Sequence, residues 1–432
     1  MGFVICMLPF HRERAVSTPV LLTRPCNSAT VMAMPSTRTS TLSAALPALL
    51  FLTIVVFLGI LPRLLLAPML LRIADSFDTS YGRASGLFMT GSLGFVSGLF
   101  SSGFVANRLR HRWTIIVSLG LNAVTMIGLS LVGSLGAFHA IYFVTNWASG
   151  LYPGSGIASV IEIAPDKNRG TALAIHESGP NLAFLTAPVL VALLAPYLGW
   201  RGVFQVAGVG AMAVTVLFAF FGRTSCDRGQ SPRFSSITLF AKSRSFWIVS
   251  ILFIVAASGA MGVFSVLPTY LMVEHGLDEQ LVNTLVGLSR ISGFASILLV
   301  GTLADRYGFI RVVVVVLGTT GLVTLAIGLA EGLPLLISVF LQPLLVGAFF
   351  PLGLSALSDV APPQARNLAV ALAIPLANFF GSGLTPRLMS WAGELGYFPL
   401  SFVALGALTL ASLLLLRGYA PSPVSDPSAP VA

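Results

Sequence analysis

Residues 103–108 read Gly-Phe-Val-Ala-Asn-Arg, and residues 301–306 read Gly-Thr-Leu-Ala-Asp-Arg. The glycine, alanine and arginine of the first segment thus return about half a chain later. A duplicated unit explains such matches when several of them keep one order, and self-similarity of this kind indicates a repeated architecture. Two later pairs of segments match at nearly the same offset: 162–169 with 359–366, and 172–175 with 371–374.

The composition places this repeat in a membrane. Of the 432 residues, 56% are hydrophobic and only 9% are Asp, Glu, Lys or Arg, whereas an ordinary soluble domain is about 25% charged. A helix that crosses a bilayer takes about 20 apolar residues, so a dozen such helices use about 240 residues. A soluble globular protein is excluded, and so is a disulfide-built secreted domain, because the three cysteines are odd in number and far apart.

Twelve apolar stretches fall into two sets of six, one for each copy of the repeat. The first half spans 43–222 and the second spans 246–418, joined by a polar cytoplasmic linker at 223–245. We expect residues 1–42 to form a disordered cytoplasmic segment and residues 419–432 a disordered tail. The predicted spans lie near 46–71, 84–106, 113–133, 137–161, 170–195, 202–222, 246–272, 281–303, 311–330, 334–358, 367–390 and 397–416.

The net charge of +9 is explained by topology. With an even number of spans both termini share one side, and most of the basic residues then fall on that side, which the positive-inside rule assigns to the cytoplasm. The sequence therefore predicts a multi-pass protein of the cell membrane, in bacteria the inner membrane, with both termini cytoplasmic. The lipid bilayer is its expected partner, nucleic acid is not, and we expect it to function as a monomer.

The chain resembles the major facilitator superfamily. Residues 301–311, from Gly301 to Arg311, fit the family signature Gly-x-x-x-Asp-Arg-x-Gly-x-x-Arg between helices 8 and 9, whereas the first copy has Asn107 in place of the acid. The resemblance covers about 43–418 and implies an all-α integral membrane fold of twelve transmembrane helices, arranged as two six-helix bundles related by pseudo-two-fold symmetry. It also implies a secondary transporter rather than an enzyme, with neither a cofactor nor a metal site.

The signature loops predict a cytoplasmic gate. An acid in such a loop can accept from the N-terminal end of a neighbouring helix and can pair with a nearby arginine, and each interaction is worth about 0.3 to 1 kcal/mol when partly exposed. Bonds of this size suit a seal that must break in each cycle, although Arg108 can also serve only as a topology signal. The predicted gate residues are Asn107, Arg108, Glu162, Arg169, Asp305, Arg306, Asp359 and Arg366.

Two arginines inside predicted spans are candidates for substrate contact. Arg63 lies beyond the middle of helix 1 and Arg290 near the middle of helix 8, and an arginine at mid-membrane is costly unless it has a function or a partner. A guanidinium facing a central cavity can hold a carboxylate through two hydrogen bonds. Alternatively, Arg63 extends toward the membrane surface or bonds the backbone broken beside Pro62. Five further residues can bond a ligand or only another helix: Asn146, Tyr152, Asn181, Tyr270 and Asn378.

His176 and Glu177 are candidates for proton coupling. Burial in a dry helix favours the neutral form of a carboxyl group, and a histidine titrates near neutrality. Consecutive residues point about 100° apart on a helix, so we expect only Glu177 to face the cavity. A structural pair between Glu177 and an arginine is the alternative, and the matching region of the second half holds no acid.

These residues predict a secondary transporter that moves a small organic anion, such as a carboxylate, by alternating access with proton coupling. The alternative within transport is efflux of drugs or metabolites, for which apolar walls and one acid suffice. A membrane-embedded transferase is disfavoured because no acidic metal-binding motif is found, and a nucleotide-driven pump because no Gly-x-x-x-x-Gly-Lys-[Ser/Thr] loop is present.

Overall fold

A computed structural model of the chain describes residues 41–225, 227–229, 240, 243–360 and 366–420, with the backbone alone at 294–302, 305 and 366–367. In these residues the chain forms twelve membrane-length helices and no strand. Eight helical stretches are long and apolar enough to cross a membrane, and two of the eight turn back once, which gives ten spans. The other two membrane-length helices are Leu135–Ile163 and Glu279–Tyr307. The predicted all-α fold with twelve transmembrane helices is thereby confirmed.

The N-terminal half holds the first six helices. Two continuous helices, Gly86–Ser130 and Arg169–Phe221, each contain one sharp turn and therefore supply two spans each. A short helix, Tyr81–Ala84, precedes the first of them. The spans are α1 Leu42–Ser76, α2 86–109, α3 111–130, α4 Leu135–Ile163, α5 169–198 and α6 200–221.

The C-terminal half repeats this count. Its helices are less regular, since two of them include a π-helical turn and one is interrupted at Ala348. Helix α12 ends in a 3₁₀ turn, Leu413–Gly418. The spans are α7 Arg244–Val273, α8 Glu279–Tyr307, α9 Phe309–Leu329, α10 Gly332–Asp359, α11 366–394 and α12 Phe398–Gly418.

Backbone geometry makes the two sharp turns of the first half. Arg110 has φ 65° and Gly199 has φ 63°, a left-handed region that glycine enters freely and other residues rarely occupy. The turn at Arg110 is held from the side, because the Arg112 guanidinium donates to the carbonyl oxygens of Ala219 and Gly222 at 2.8 Å each. Those carbonyls end α6 and lack partners within the helix, so Arg112 joins the start of α3 to the end of α6.

The π-helical turns of the second half lie against each other. These turns are Ser258–Gly262 in α7 and Phe379–Leu384 in α11. A hydrogen bond of 2.9 Å joins the Ser258 hydroxyl to that of Thr385, the residue that follows the second turn. A Cβ atom at Gly381 would lie 2.7 Å from the carbonyl carbon of Ala257, so glycine permits this approach. π-helical turns are rare and often mark functional regions.

The hydrophobic core is divided unequally between the two membrane faces. We call the face where α1 begins and α12 ends the terminal face, and the opposite one the distal face. One cluster of buried side chains runs through the N-terminal half and continues into Phe264, Leu267 and Phe398 of the other half. A separate cluster, which includes Phe253 and Phe349, belongs to the C-terminal half alone. The halves therefore share a core toward the distal face.

Close packing of α2 against α4 provides a test of the first half. A Cβ atom at Gly98 would lie 2.9 Å from the Cα of Gly150 and would also meet the Trp147 carbonyl, and backbone cannot move aside as a side chain can. We expect Gly98→Ala to lower the free energy of unfolding by about 1 to 3 kcal/mol, the usual cost of overpacking. Thermal unfolding of the protein purified in detergent measures this change.

Gly210→Ala on α6 is the matched control, because no atom lies within 4 Å of a Cβ placed there. That variant should be as stable as the parent protein, or more stable by up to about 1 kcal/mol, since alanine is the better helix former. Equal stability of the two variants would contradict the packing described for α2 and α4.

Candidate functional site

Arg63 is buried between the two halves. Its guanidinium lies 4.3 Å from the centroid of the Phe95 ring in the same half. Its Nη2 atom donates across the interface to the Asn378 side chain at 3.2 Å and to the Ser382 hydroxyl. Ser382 belongs to the π-helical turn of α11, and its hydroxyl donates in turn to the Asn378 carbonyl at 2.6 Å. Arg63 thus fastens α1 to the irregular part of α11.

Arg290 also lies at the interface, on another pair of helices. Its guanidinium carbon is 4.8 Å from the Phe264 ring centroid on α7 and 5.9 Å from that of Phe184 on α5. The residue is 8% exposed, and neither Nε nor Nη2 has a hydrogen-bond partner among the described residues. An aromatic face partly offsets the burial of a cation, but within the described part of the chain nothing accepts from the two nitrogens along one edge of the guanidinium.

Three side chains form a hydrogen-bonded chain in the N-terminal half. The Tyr152 hydroxyl lies 2.8 Å from Nε2 of His176, and Nδ1 of His176 lies 3.1 Å from Oε1 of Glu177. The same hydroxyl donates to the Leu52 carbonyl at 3.2 Å. A hydroxyl carries one hydrogen, so Tyr152 accepts from Nε2 when it donates to Leu52, and the pair is then histidinium with carboxylate or neutral histidine with carboxylic acid. When Tyr152 donates to Nε2 instead, neutral His176 donates from Nδ1 to the carboxylate, and the pair holds one proton fewer.

A small cavity lies beside this chain of hydrogen bonds. It is lined by α1, α2, α4 and α5, and both His176 and Glu177 border it, as does Phe95. Both side chains of the hydrogen-bonded pair thus border this cavity, whose lining residues all belong to the N-terminal half. That only Glu177 faces a central cavity between the halves stays a prediction. Oε2 of Glu177 is buried and has no hydrogen-bond partner in the described part of the chain.

The other predicted ligand residues lie in different surroundings. Asn146 donates to the Tyr142 carbonyl at 2.9 Å, and its side-chain oxygen has no partner among the described residues. Asn181 donates to the backbone of Glu177 at 3.0 Å. Tyr270 donates to the Ile327 carbonyl at 3.0 Å and packs on Phe402 within its own half. The structure thus brings Arg63 together with Asn378, and Tyr152 with His176 and Glu177, but leaves Tyr270 apart from both groups.

Contacts between the halves close the distal face. Nε of Arg72 at the end of α1 lies 2.6 and 2.9 Å from the two carboxylate oxygens of Glu279 at the start of α8. Arg387 of α11 donates to the carbonyl oxygens of Gly82 and Arg83 and to the Ser85 hydroxyl. The Tyr81 ring stacks on Phe398 at 6.1 Å, so ionic, backbone and aromatic contacts act together at this face.

The predicted gate residues lie toward the terminal face. Asn107 and Arg108 are exposed just before the turn at Arg110, and Glu162 is half-buried at the end of α4. Arg169 forms an ion pair of 2.7 Å with Asp166, three residues earlier.

In the second half, Arg306 is exposed and its guanidinium lies 5.3 Å from the Tyr307 ring centroid. Asp359 is exposed at the end of α10. Asp305 lies in the last turn of α8 and Arg366 at the start of α11, but their side chains are outside the described part of the chain.

The sequence profile of the Major Facilitator Superfamily matches residues 52–333 and 263–432, which together include both halves of the bundle. The chain belongs to the major facilitator superfamily. The resemblance inferred from the signature loop is therefore confirmed, and the family and fold of this multi-pass membrane protein are those of transporters.

Curated relatives within the superfamily are distant. A niacin/nicotinamide transporter described as putative, from Bacillus subtilis, is 25% identical over 50% of this chain and 53% of its own length. The cis,cis-muconate transport protein of Acinetobacter baylyi is 24% identical over 72% of this chain and 78% of its own. A chloramphenicol resistance protein of Pseudomonas aeruginosa is 23% identical over 48% and 50%. The chain thus spans about half the length of two of these relatives.

Solved superfamily structures share the fold across almost the whole bundle. A D-xylose–proton symporter superposes with a TM-score of 0.71 at 15% identity, covering 88% of this chain and 98% of the symporter. A POT family transporter in complex with 5-aminolevulinic acid superposes with a TM-score of 0.71 at 15% identity, covering 87% and 96%. At this identity the likeness shows the fold alone.

Sequence reasoning missed several residues that the structure places beside the buried arginines. Phe95 and Ser382 contact Arg63, and Phe184 and Phe264 contact Arg290. Phenylalanine and serine are common in membrane helices and give no signal alone. The glycines beside Ser382, at positions 381 and 383, were the available sign of close packing and irregular backbone.

The ion pair between Arg72 and Glu279 can be tested by charge exchange. Both side chains are partly exposed, at 36% and 26%, so the pair should contribute no more than about 1 kcal/mol. We expect Arg72→Glu to lower the thermal unfolding temperature by placing two carboxylates together, and Arg72→Glu with Glu279→Arg to restore most of the loss. If the double variant is no more stable than the single one, the two side chains do not interact across the distal face.

Proposed function

We propose that this superfamily member is a secondary transporter that moves a small organic anion, such as a carboxylate, by alternating access, with a proton as the coupling ion. In this proposal it functions as a monomer in the bacterial inner membrane. The terminal face with both chain ends is cytoplasmic, as the distribution of basic residues favours, and the distal face is external.

The unused edge of the Arg290 guanidinium is the observation that carries the choice of an anion. Nε and Nη2 are neighbouring donors in one plane, and their spacing matches the two oxygens of a carboxylate. Buried charges in membrane helices are normally paired or functional, and the neighbours of this guanidinium are the rings of Phe184 and Phe264. A carboxylate that enters between the halves would supply the missing counter-charge.

Two of the curated relatives support this chemistry. Their names give niacin/nicotinamide and cis,cis-muconate as cargo, and niacin and muconate are both carboxylates with flat, conjugated bodies. A flat acid could hold the edge of Arg290 with its carboxylate while its apolar part contacts Phe184 or Phe264. Stacking of conjugated groups on aromatic rings is favourable.

The shared proton of His176 and Glu177 supports proton coupling. The pair is buried, at 1% and 4% exposure, and it borders a cavity. Loss of the proton would leave one uncompensated negative charge in a dry site, so the two protonation states differ strongly in electrostatic energy. A carrier needs two such states that favour different conformations.

Substitution of Arg290 tests the anion proposal. We expect Arg290→Gln to weaken carboxylate binding by about 10- to 150-fold, which corresponds to the 1.5 to 3 kcal/mol of hydrogen bonds to a charged group. Arg290→Lys keeps the charge but loses the paired donors, and it should fall between the parent and Arg290→Gln. Thermal shift of the purified protein with niacin, cis,cis-muconate and other small acids measures binding, because a ligand stabilises the state to which it binds.

Arg201→Gln is the matched control. This arginine packs 4.3 Å from the Trp200 ring and donates to the Val132 carbonyl, away from the interface between the halves. It should leave anion binding unchanged. If a neutral cargo such as chloramphenicol stabilises the parent protein and Arg290→Gln alike, while no acid does so, the efflux alternative suggested by the Pseudomonas relative replaces the anion proposal.

Glu177→Gln tests proton coupling. The amide cannot release a proton, so accumulation of the anion against its gradient should be lost. Exchange of internal for external anion should continue, because exchange needs no net proton movement. Both rates are measured in liposomes that contain the purified protein, with an imposed pH difference for accumulation and with internal anion for exchange. Full accumulation in the variant would assign Glu177 a structural role.

A further inference from the structure

The Phe95 ring connects Arg63 with the cavity that Glu177 borders. Phe95 borders the cavity together with His176 and Glu177, and the guanidinium of Arg63 lies 4.3 Å from the centroid of the same ring. Arg63 now donates to Asn378 and Ser382 of the other half, while Oε2 of Glu177 is buried and unpartnered among the described residues. Phe95 thus contacts a buried cation held by neutral groups and borders the same cavity as a carboxyl group with an unpartnered oxygen.

A path for the side chain exists along α1. Gly59 and Ile60 lie four and three residues before Arg63 and therefore share its face of the helix, and both border the cavity. A Cβ atom placed at Gly59 would meet no atom within 4 Å. An arginine that swings back by one helical turn would therefore pass over open space toward Glu177.

Few ionisable groups of the described residues compete for this role near Glu177. On its own helix the neighbour is His176, and α4 contributes Tyr152. Arg63 of α1 contacts the ring of Phe95, which borders the cavity. Arg290 of α8 contacts the ring of Phe184 on α5, two turns beyond Glu177.

We propose that Arg63 exchanges partners between α11 and Glu177. When His176 and Glu177 share their proton, Arg63 holds Asn378 and Ser382, which fastens α1 to α11 and keeps the distal face closed. When that proton leaves, the carboxylate attracts Arg63 along Gly59 into the cavity, α11 is released, and the distal face can open. This inference rests on the proposed proton coupling and assigns Arg63 to positioning the two halves rather than to the substrate.

The direction of the effect follows from charge. Deprotonation creates a buried negative charge, and pairing with Arg63 compensates it, whereas Asn378 and Ser382 offer only neutral acceptors. Hydrogen bonds between charged partners are about twice as strong as those to neutral groups. Opening of the distal face should therefore increase as pH rises, and protonation from that side should close it.

Labelling of a buried cysteine on α11 measures this opening without any substrate. Ser390 is fully buried about one turn beyond Arg387, and its hydroxyl has no partner among the described residues, so Ser390→Cys should be tolerated. The reporter is made in the full chain with Cys6, Cys26 and Cys226 replaced by serine and purified in detergent. The rate of maleimide labelling is measured from about pH 5 to about pH 9. Because only the thiolate reacts, each rate is divided by the rate at the same pH for an exposed control cysteine, Leu131→Cys.

We expect the corrected labelling rate of the parent to rise about tenfold or more over this pH range. When opening releases one proton, the population of the open state changes about tenfold for each pH unit. Glu177→Gln should stay at the slow rate throughout. Arg63→Ala should be fast at every pH, because the link to α11 is gone, and Arg63→Lys should regain the pH response. Gly59→Val fills the path and should hold the slow rate at high pH.

Arg72→Ala is the matched control, since it loosens the distal face through an ion pair remote from the cavity. It should raise the rate at every pH and keep the tenfold response. The exchange is overturned if Arg63→Ala or Gly59→Val retains the parent response, or if the parent shows none. The labelling assay contains no anion, so its result does not depend on anion transport. The proposed function is tested separately, by accumulation in Glu177→Gln and by the anion affinity of the Arg290 variants.

Discussion

A buried ionised group in a membrane protein needs a partner, and this requirement organises the interior of the chain. Water is excluded there, so a charge or hydrogen-bonding group that protein does not satisfy costs several kcal/mol. Most polar side chains meet the requirement locally, as Thr145 and Ser159 do by donating to carbonyls one turn earlier. Exceptions among the described residues include one edge of Arg290 and one oxygen of Glu177. These two are informative because both side chains can carry a charge.

The two halves have diverged in how they use the shared architecture. The first keeps regular helices and places a histidine, an acid and a tyrosine around a cavity. In the second, the matching region of α11 is apolar and is followed by a π-helical turn that accepts a bond from Arg63. The histidine–glutamate pair thus lies in one half and the irregular backbone in the other, with Arg63 connecting them.

The sequence predicts the fold well, because long apolar runs and a repeated signature are local patterns. It also isolates Arg63, Arg290, His176 and Glu177, since charges in apolar stretches stand out against their surroundings. It could not supply the partners of Arg63, because Ser382 resembles many other serines and is 319 positions away. Nor could it foresee that both His176 and Glu177 border the cavity, because helical spacing ignores the bond that turns one side chain toward the other.

The closure of the distal face combines two kinds of contact that evolution can alter in different ways. Arg72 and Glu279 meet through side chains, so paired replacements can preserve the contact, and the two positions should co-vary among homologues. Arg387 instead donates mainly to the main-chain oxygens of Gly82 and Arg83, which every residue at those positions provides. That contact depends on the shape of the turn and on one arginine, so position 387 should be invariant among homologues that share it while position 83 can vary. Position 82 is limited for another reason, since a Cβ atom there would meet the Glu394 side chain.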